Sequence, residues 1–444
     1  MRERLAALGQ AMRVPDIRKR IVFLMSMFGV YVACAHIPLP GIDKAQLEQL
    51  FRGAGGLGEM LDAFAGGSLK RFSVMALGIM PYISASIIMQ LLAMAIPALE
   101  ELQKEGEYGR RKINAWTKYL TIAVAGLQAF GMIAFLQRGQ AFIGDTVLLL
   151  YVVLMMVGGT AFLMWIADMI TEHGIGQGVS IIIFAGIMTY MPQEVAATIR
   201  LWQTGEVSAA NIFFLAAIMY ATIYLIVKFQ QAQRKIPVQY ARRVRGHRVY
   251  GGQSSYLPLR VNQAGVMPII FAISVSMFPG QIAQALSGQG TVERIAGIFH
   301  VSQEAVSRAM FSLVQFTTPG QNHFASLLYF LLVILFTYFY TAVTFNPEQI
   351  SENLQKNGGA VPGIRPGPST RDYLDRILYR ITLAGALFLG LIALMQYYVG
   401  DITGVTTFTL VGGTSLLIVV GVALDTMQQI EAQLLMRHYR GFLK

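Results

Sequence analysis

Long apolar stretches separated by short charged ones run the length of the 444-residue chain. Ten runs hold no Asp, Glu, Lys or Arg: residues 21–42, 72–99, 119–137, 146–167, 173–193, 207–227, 261–292, 309–347, 381–400 and 402–424. Each is long enough for the roughly 20 residues that a helix needs to cross the hydrocarbon of a bilayer. The pattern therefore predicts an all-α polytopic membrane protein with ten transmembrane helices. Composition points the same way, because 55% apolar residues, 13% charged residues and a mean hydropathy of +0.52 lie outside the range of soluble domains.

Ten spans divide into two sets of five, and an odd number per set makes the second enter the membrane in the opposite sense. The expected halves are residues 21–195 and 196–427. The second span contains GIMPYI (78–83) and the seventh, at the equivalent place, GVMPII (265–270). Paired Gly/Pro interruptions in inverted halves point to a pathway at the repeat interface. Two membrane prolines could coincide by chance, but the match of residue type at six positions favours the pathway. Pro81 is expected inside the second span, where it removes a backbone donor and clashes with the carbonyl four residues back. That costs about 3 kcal/mol, which lipid cannot relieve by hydration.

Charge sets the orientation. With alternating loops, 27 of the 35 Lys and Arg fall on the side that holds both termini, which places both ends in the cytoplasm. The same bias accounts for the net charge of +11 without nucleic-acid binding. Residues 1–20 hold six basic and two acidic groups and no apolar core, so they read as an interfacial amphipathic segment rather than a cleaved signal peptide. Residues 428–444 read as a C-terminal tail. Cys34, the single cysteine, excludes an intramolecular disulfide and a cysteine-cluster metal site.

Before the second span, Leu57, Met60, Leu61 and Phe64 fall on one helical face, followed by Gly66 and Gly67 as a joint. Such a segment fits a stopper folded back into a cavity, and equally a helix lying flat at the interface. Catalytic chemistry has no foothold. The charge-free runs lack the ionisable groups that coupled transporters place in the membrane, and no GxxxxGK[ST] motif offers ATP hydrolysis. His36 and His323 have no metal-pair spacing. GIGQG (174–178) resembles a nucleotide fingerprint but follows no strand, and is expected to start the fifth span. If the chain moves anything uphill, a partner drives it. Loop 228–262 is the expected landing place: residues 228–260 carry eight Lys and Arg, no acidic residue, and interleaved Tyr240, Tyr250 and Tyr256. In loop 346–378, a Gly-Ile-Arg-Pro-Gly turn presents Arg365.

The stretches IPLPGID (37–43), FAGGSLKRFSVMALGIMPYISASIIMQLL (64–92), EGEYGRRKI (105–113), GIGQGVSIIIFAGI (174–187), NQAGVMPIIFA (262–272), VPGIRPG (361–367) and GGTSLLIVV (412–420) closely resemble the SecY family, the channel subunit of the bacterial Sec protein translocase. The resemblance covers nearly the whole chain. It implies two inverted five-helix halves around a central hourglass pore in the bacterial plasma (inner) membrane, and a non-enzymatic protein-conducting channel without metal or cofactor. The channel would pass unfolded polypeptides bearing signal peptides and release transmembrane segments sideways into lipid.

By the same resemblance, the pore ring is Ile79, Ile83, Val179, Ile183, Ile270 and Ile418, with valine at 179 departing from an all-isoleucine ring. The plug is 57–69, containing Leu57, Met60, Leu61, Phe64, Gly66 and Gly67. The lateral gate holds Pro81, Ser84, Gln128 and Pro268, its prolines bending the two gate helices. Partners would meet Arg242, Arg243, Arg245, Arg248 and Arg365. The implied partners are the small membrane subunits SecE and SecG, the motor ATPase SecA and the ribosome, with nucleic acid involved only through the ribosome. The competing class is an inverted-repeat secondary transporter, which needs an intramembrane coupling residue and no large basic loops. The outer loop 281–322 matches no motif.

Overall fold

The computed structural model describes residues 14–43, 45–47, 49, 62, 65–138, 140–240, 243–245, 248–250, 254–286, 292–293, 296–297, 300, 302–320, 322–405 and 413–441. Its helices are α1 (Pro15–Ala35), α2 (Met80–Ala95), α3 (Pro97–Lys104), α4 (Glu107–Arg138), α5 (Thr146–His173), α6 (Gly178–Gln203), α7 (Ala209–Gln231), α8 (Met267–Leu286), α9 (Gln303–Thr317), α10 (His323–Thr344), α11 (Pro347–Lys356), α12 (Pro368–Thr403) and α13 (Thr414–Gly441). Five short strands follow α7 or α11: β1 (Gln233–Tyr240), β2 (Arg243–Arg245), β3 (Arg248–Tyr250), β4 (Ser254–Arg260) and β5 (Gly359–Ala360).

Helix starts follow local chemistry. Ser208, Ser302, Asn322 and Asn346 each accept a backbone N–H at the first turn of α7, α9, α10 and α11, and proline occupies the first turn of α1, α2, α3, α11 and α12. Seven helices are long and apolar enough to cross a membrane, or eight if the bent pair α2 and α3 counts as one span. The chain is thus a helical multi-pass membrane protein. Each of the ten apolar runs contributes to one of α1, α2, α4, α5, α6, α7, α8, α10, α12 and α13 among the described residues.

Two spans differ from expectation. The run 72–99 is not one straight helix: α2 starts only at Met80, and the chain turns by 105° between α2 and α3 at Ile96–Pro97. Proline restricts the residue before it to extended backbone, and Ile96 sits at ψ 113. The run 402–424 is likewise divided, with α12 reaching Thr403 and α13 starting at Thr414 and continuing to Gly441 across the boundary drawn at 428.

The packing repeats itself. The contacts α2–α4, α4–α5, α1–α5, α5–α6 and α1–α6 recur as α8–α10, α10–α12, α7–α12, α12–α13 and α7–α13. Between these two sets, α8 packs on α2 and α4, and α6 packs on α13.

At one end of the bundle, which holds the α5–α6 junction and the strands, β1 lies between β4 and β5 in a three-stranded sheet, while β2 and β3 form a separate hairpin. The sequence reading did not anticipate strands here. Pro237 and Pro258 argue against an interior strand, but both are accommodated in the β1–β4 pair, opposite Tyr256 and Lys235. Ile236 and Leu259 pack into a small core with Phe345, Val361 and Leu374, so the two long loops form one platform.

Candidate functional site

The GxMP motif resolves into a helix start. Gly78 and Gly265 both adopt left-handed backbone, at φ 56 and φ 67, two residues before the helices begin at Met80 and Met267. Glycine takes this conformation without the Cβ clash that penalises other residues. Ile83 N–H then donates to the Ile79 carbonyl at 3.1 Å, and Ile270 N–H to the Val266 carbonyl at 3.4 Å, the same bond in each half. Pro81 and Pro268 therefore occupy the first turn and do not bend the gate helices. Their missing N–H groups belong to positions that have no intrahelical partner in any helix.

The six residues expected in the ring fall within one region of the core. Ile79, Ile83, Ile183, Ile270 and Ile418 are all buried in one continuous apolar cluster, and Val179 packs against it. These six come from the start and first turn of α2, from α6, α8 and α13, and so from both halves. Val266 joins the same cluster. It stands where Ile79 stands in the first half and was missed, although aligning GVMPII with GIMPYI gives it directly. Sealing by such groups uses dispersion, about 0.1–0.2 kcal/mol per close atom pair, and exclusion of water from an apolar constriction.

Ser84 on α2 and Gln128 on α4 are half-buried. Their helices and the Pro268 helix α8 pack on one another.

Of the plug residues, Leu57, Met60, Leu61 and Phe64 lie outside the described residues. Gly66 and Gly67 stand in left-handed conformation at φ 67 and φ 79. A Cβ on Gly66 would lie 2.6 Å from the Tyr31 hydroxyl and 3.0 Å from Gly186 Cα, so this turn touches α1 and α6 closely. The residue that organises it is Asp62, which sequence reading passed over. Its Oδ1 accepts the N–H groups of Leu69 and Lys70, both at 2.9 Å, and its carbonyl accepts Gly67 N–H at 2.8 Å. Burial pushes this carboxyl above the usual aspartate range, against the opposing effect of those N–H groups and of the Lys70 and Arg71 charges. Lys70 donates to the Tyr190 hydroxyl at 3.2 Å, and Tyr31 donates to the Ala65 carbonyl at 3.3 Å.

Glu194, on α6, is only 9% exposed, so a carboxylate is buried just beyond the end of a charge-free run. It follows Tyr190 and Gln193, which face the Gly67 turn.

The partner-binding candidates separate. Arg242 lies outside the described residues, while Arg243, Arg245 and Arg248 are on the β2–β3 hairpin. Arg365 is exposed, between Gly363 and Gly367, both at positive φ. Its carbonyl accepts the Thr370 hydroxyl at 2.8 Å, and Ser351 donates to the Gly367 carbonyl at 2.6 Å, fixing the turn to α12 and α11.

The SecY family profile matches residues 73–427. Relatives described as protein translocase subunit SecY include that of Thermus thermophilus, 44% identical over 99% of this chain and 98% of its own. That of Thermotoga maritima is 42% identical over 99% of this chain and 97% of its own. A solved structure described as that of a protein conducting channel has a TM-score of 0.66 at 15% identity, covering 94% of this chain and 92% of its own. Sec61 in a canine ribosome-channel complex gives 0.61 at 14%, over 94% and 92%. The structures speak for the fold and the sequences for kinship: the chain belongs to the SecY family.

Proposed function

We propose that the chain is a protein-conducting channel that passes unfolded secretory polypeptides across the bacterial plasma membrane and releases transmembrane segments sideways between α2 and α8. The observation that supports this reading is that Ile79, Ile83, Ile183, Ile270 and Ile418, from both halves, lie in one apolar cluster against which Val179 packs, and that α2, α4 and α8 pack on one another. A seal of small aliphatic groups makes no demand on sequence and can part around any extended chain. In this reading, segment 57–69 is the plug. The platform of β1–β5 with Arg243, Arg245, Arg248 and Arg365 is the cytoplasmic docking surface for SecA and the ribosome, both termini are cytoplasmic, and SecE and SecG complete the membrane assembly. The energy comes from the partner.

The secondary-transporter reading has Asp62 and Glu194 in its favour as buried carboxylates. It leaves the basic platform without a task. The test uses a Cys34→Ser background with single cysteines at 83, 183, 270 and 418 and a stalled secretory polypeptide. Crosslinks at these positions are expected. Labelling only at exposed positions such as Leu91 and Met94 of α2 would remove the central pore.

A further inference from the structure

The GIGQG segment, residues 174–178, is tied to both halves of the molecule. Gly176 N–H donates to Gln429 Oε1 on α13 at 2.8 Å. Gly176 has φ 93, and a Cβ there would meet Ile181 Cδ1 at 2.5 Å and Thr426 Oγ1 at 3.4 Å. Gly178 N–H donates to Thr171 Oγ1 at 2.9 Å, and a Cβ on Gly178 would lie 1.8 Å from the Ala167 carbonyl oxygen. On the other side, the Gly174 carbonyl accepts Arg20 Nη1 at 3.1 Å. The glycines thus let α6 start in direct contact with α5 and α13.

The same turn of α13 is held from the platform. Gln428 Oε1 accepts Arg260 Nη2 at 2.9 Å, and Asp425 lies 3.9 Å from Arg260 Nη1. Arg260 is the last residue of β4, and its N–H donates to Gln263 Oε1 at 3.2 Å. Gln428 and Gln429 are therefore neighbours on one helix that face opposite attachments, the sheet and the GIGQG loop.

Both attachments sit close to the ring along the chain. Val179 follows Gly176 by three residues at the start of α6, with Ile183 one turn later. Ile418 precedes Asp425 on α13 by seven residues, about 10 Å along the helix axis.

We infer that Gln429 and Arg260 are positioning residues that couple the docking platform to the pore seal. Gln429 fixes the start of α6 against α13, and with it the approach of Val179 and Ile183 to Ile418. Arg260 ties the same helix to β4, so a partner that shifts the sheet shifts α13. This inference rests on the pore reading proposed above.

The experiment measures resting ion conductance of the purified full-length chain in planar bilayers, with Ile83→Asn as a leak reference. Gln429→Met keeps the side-chain length and removes the acceptor, and Gln429→Glu keeps an acceptor oxygen for Gly176 N–H. The Met variant should raise resting conductance at least threefold, while the Glu variant stays at the parental level. Equal behaviour of the two, whether both leaky or both tight, overturns the positioning role, because a general loss of packing would not distinguish them.

Arg260→Met should also raise conductance. Combined with Gln429→Met, it should give no more than the larger single effect, since both residues hold one helix. Multiplication of the two factors would mean independent sites and would overturn the coupling. If Ile83→Asn leaks and Gln429→Met does not, the coupling falls and the pore stands. If Ile83→Asn itself stays tight, the pore reading falls and takes the coupling with it.

Discussion

The starts of α2 and α8 use the same backbone device, a left-handed glycine followed by a first-turn proline, yet the chain that leads into each is different. Ahead of α2, residues 65–79 form a buried run of turns held by Asp62, in contact with α1 and α6. Ahead of α8 comes β4, the edge of an exposed sheet. Inversion places the two approaches at opposite ends of the bundle, so one repeated helix start follows a run of buried turns in one half and an exposed sheet in the other.

The largest expected effect sharpens the division between platform and wall. Arg365→Glu reverses an exposed charge on an anchored turn, and loss of a charge-assisted interface contact costs on the order of 2 to 5 kcal/mol. Partner-driven uptake of an unfolded polypeptide into proteoliposomes should fall at least tenfold, with resting conductance at the parental level. Full uptake would leave Arg365 as a solvated loop residue.

Next comes the wall itself. Ile83→Asn and Ile270→Asn each bury an amide in the apolar cluster, a cost of roughly 1–3 kcal/mol that opening to water relieves. Both should leak ions, whereas Ile83→Leu should cost under about 1.5 kcal/mol and stay tight. A leak from one half alone would break the equivalence of the two gate helices.

Gly265→Ala places a Cβ in open space but in left-handed backbone, so the penalty is conformational, about 1–2 kcal/mol. Thermal unfolding of the purified protein reads it. Gly78→Ala should cost at least as much, because Gly78 is also in left-handed backbone and is buried.

Asp62 gives a smaller effect with a defined sign. Its carboxyl titrates higher when folded than when unfolded, so its contribution to stability is fully present below the ordinary value of 3.8 and is lost as pH rises through the folded value. Asp62→Asn keeps a carbonyl for the N–H groups of Leu69 and Lys70. It should stabilise the turn at neutral pH and have almost no effect below pH 3.8. Stability profiles that stay parallel from acid to neutral pH would show that Asp62 does not titrate on unfolding.

Smallest of all, Pro81→Ala and Pro268→Ala should each change stability by less than about 1 kcal/mol, the scale of a proline at a compatible position. A loss near the roughly 3 kcal/mol of a helix-interior proline would contradict the first-turn placement.

The sequence by itself determined the membrane class, the ten apolar runs and the paired GxMP motifs, because lipid imposes length and polarity rules that act locally on the chain. It also carried the family, in motifs long enough to stand alone. Tertiary structure decided the rest. Pro81 read as a helix interruption because apolarity continues upstream of it, but residues 74–79 find turn hydrogen bonds and protein contacts that let the helix start late. Strands β1 and β4 were hidden by their prolines and charges, and form because Ile236 and Leu259 have a core to cover in the second loop. The buried carboxylates Asp62 and Glu194 had no local signature, since burial of a charge is a property of its neighbours. Gln429 and Gly176 are 253 residues apart, and only the packing of α6 on α13 brings a backbone N–H of one to the side-chain oxygen of the other.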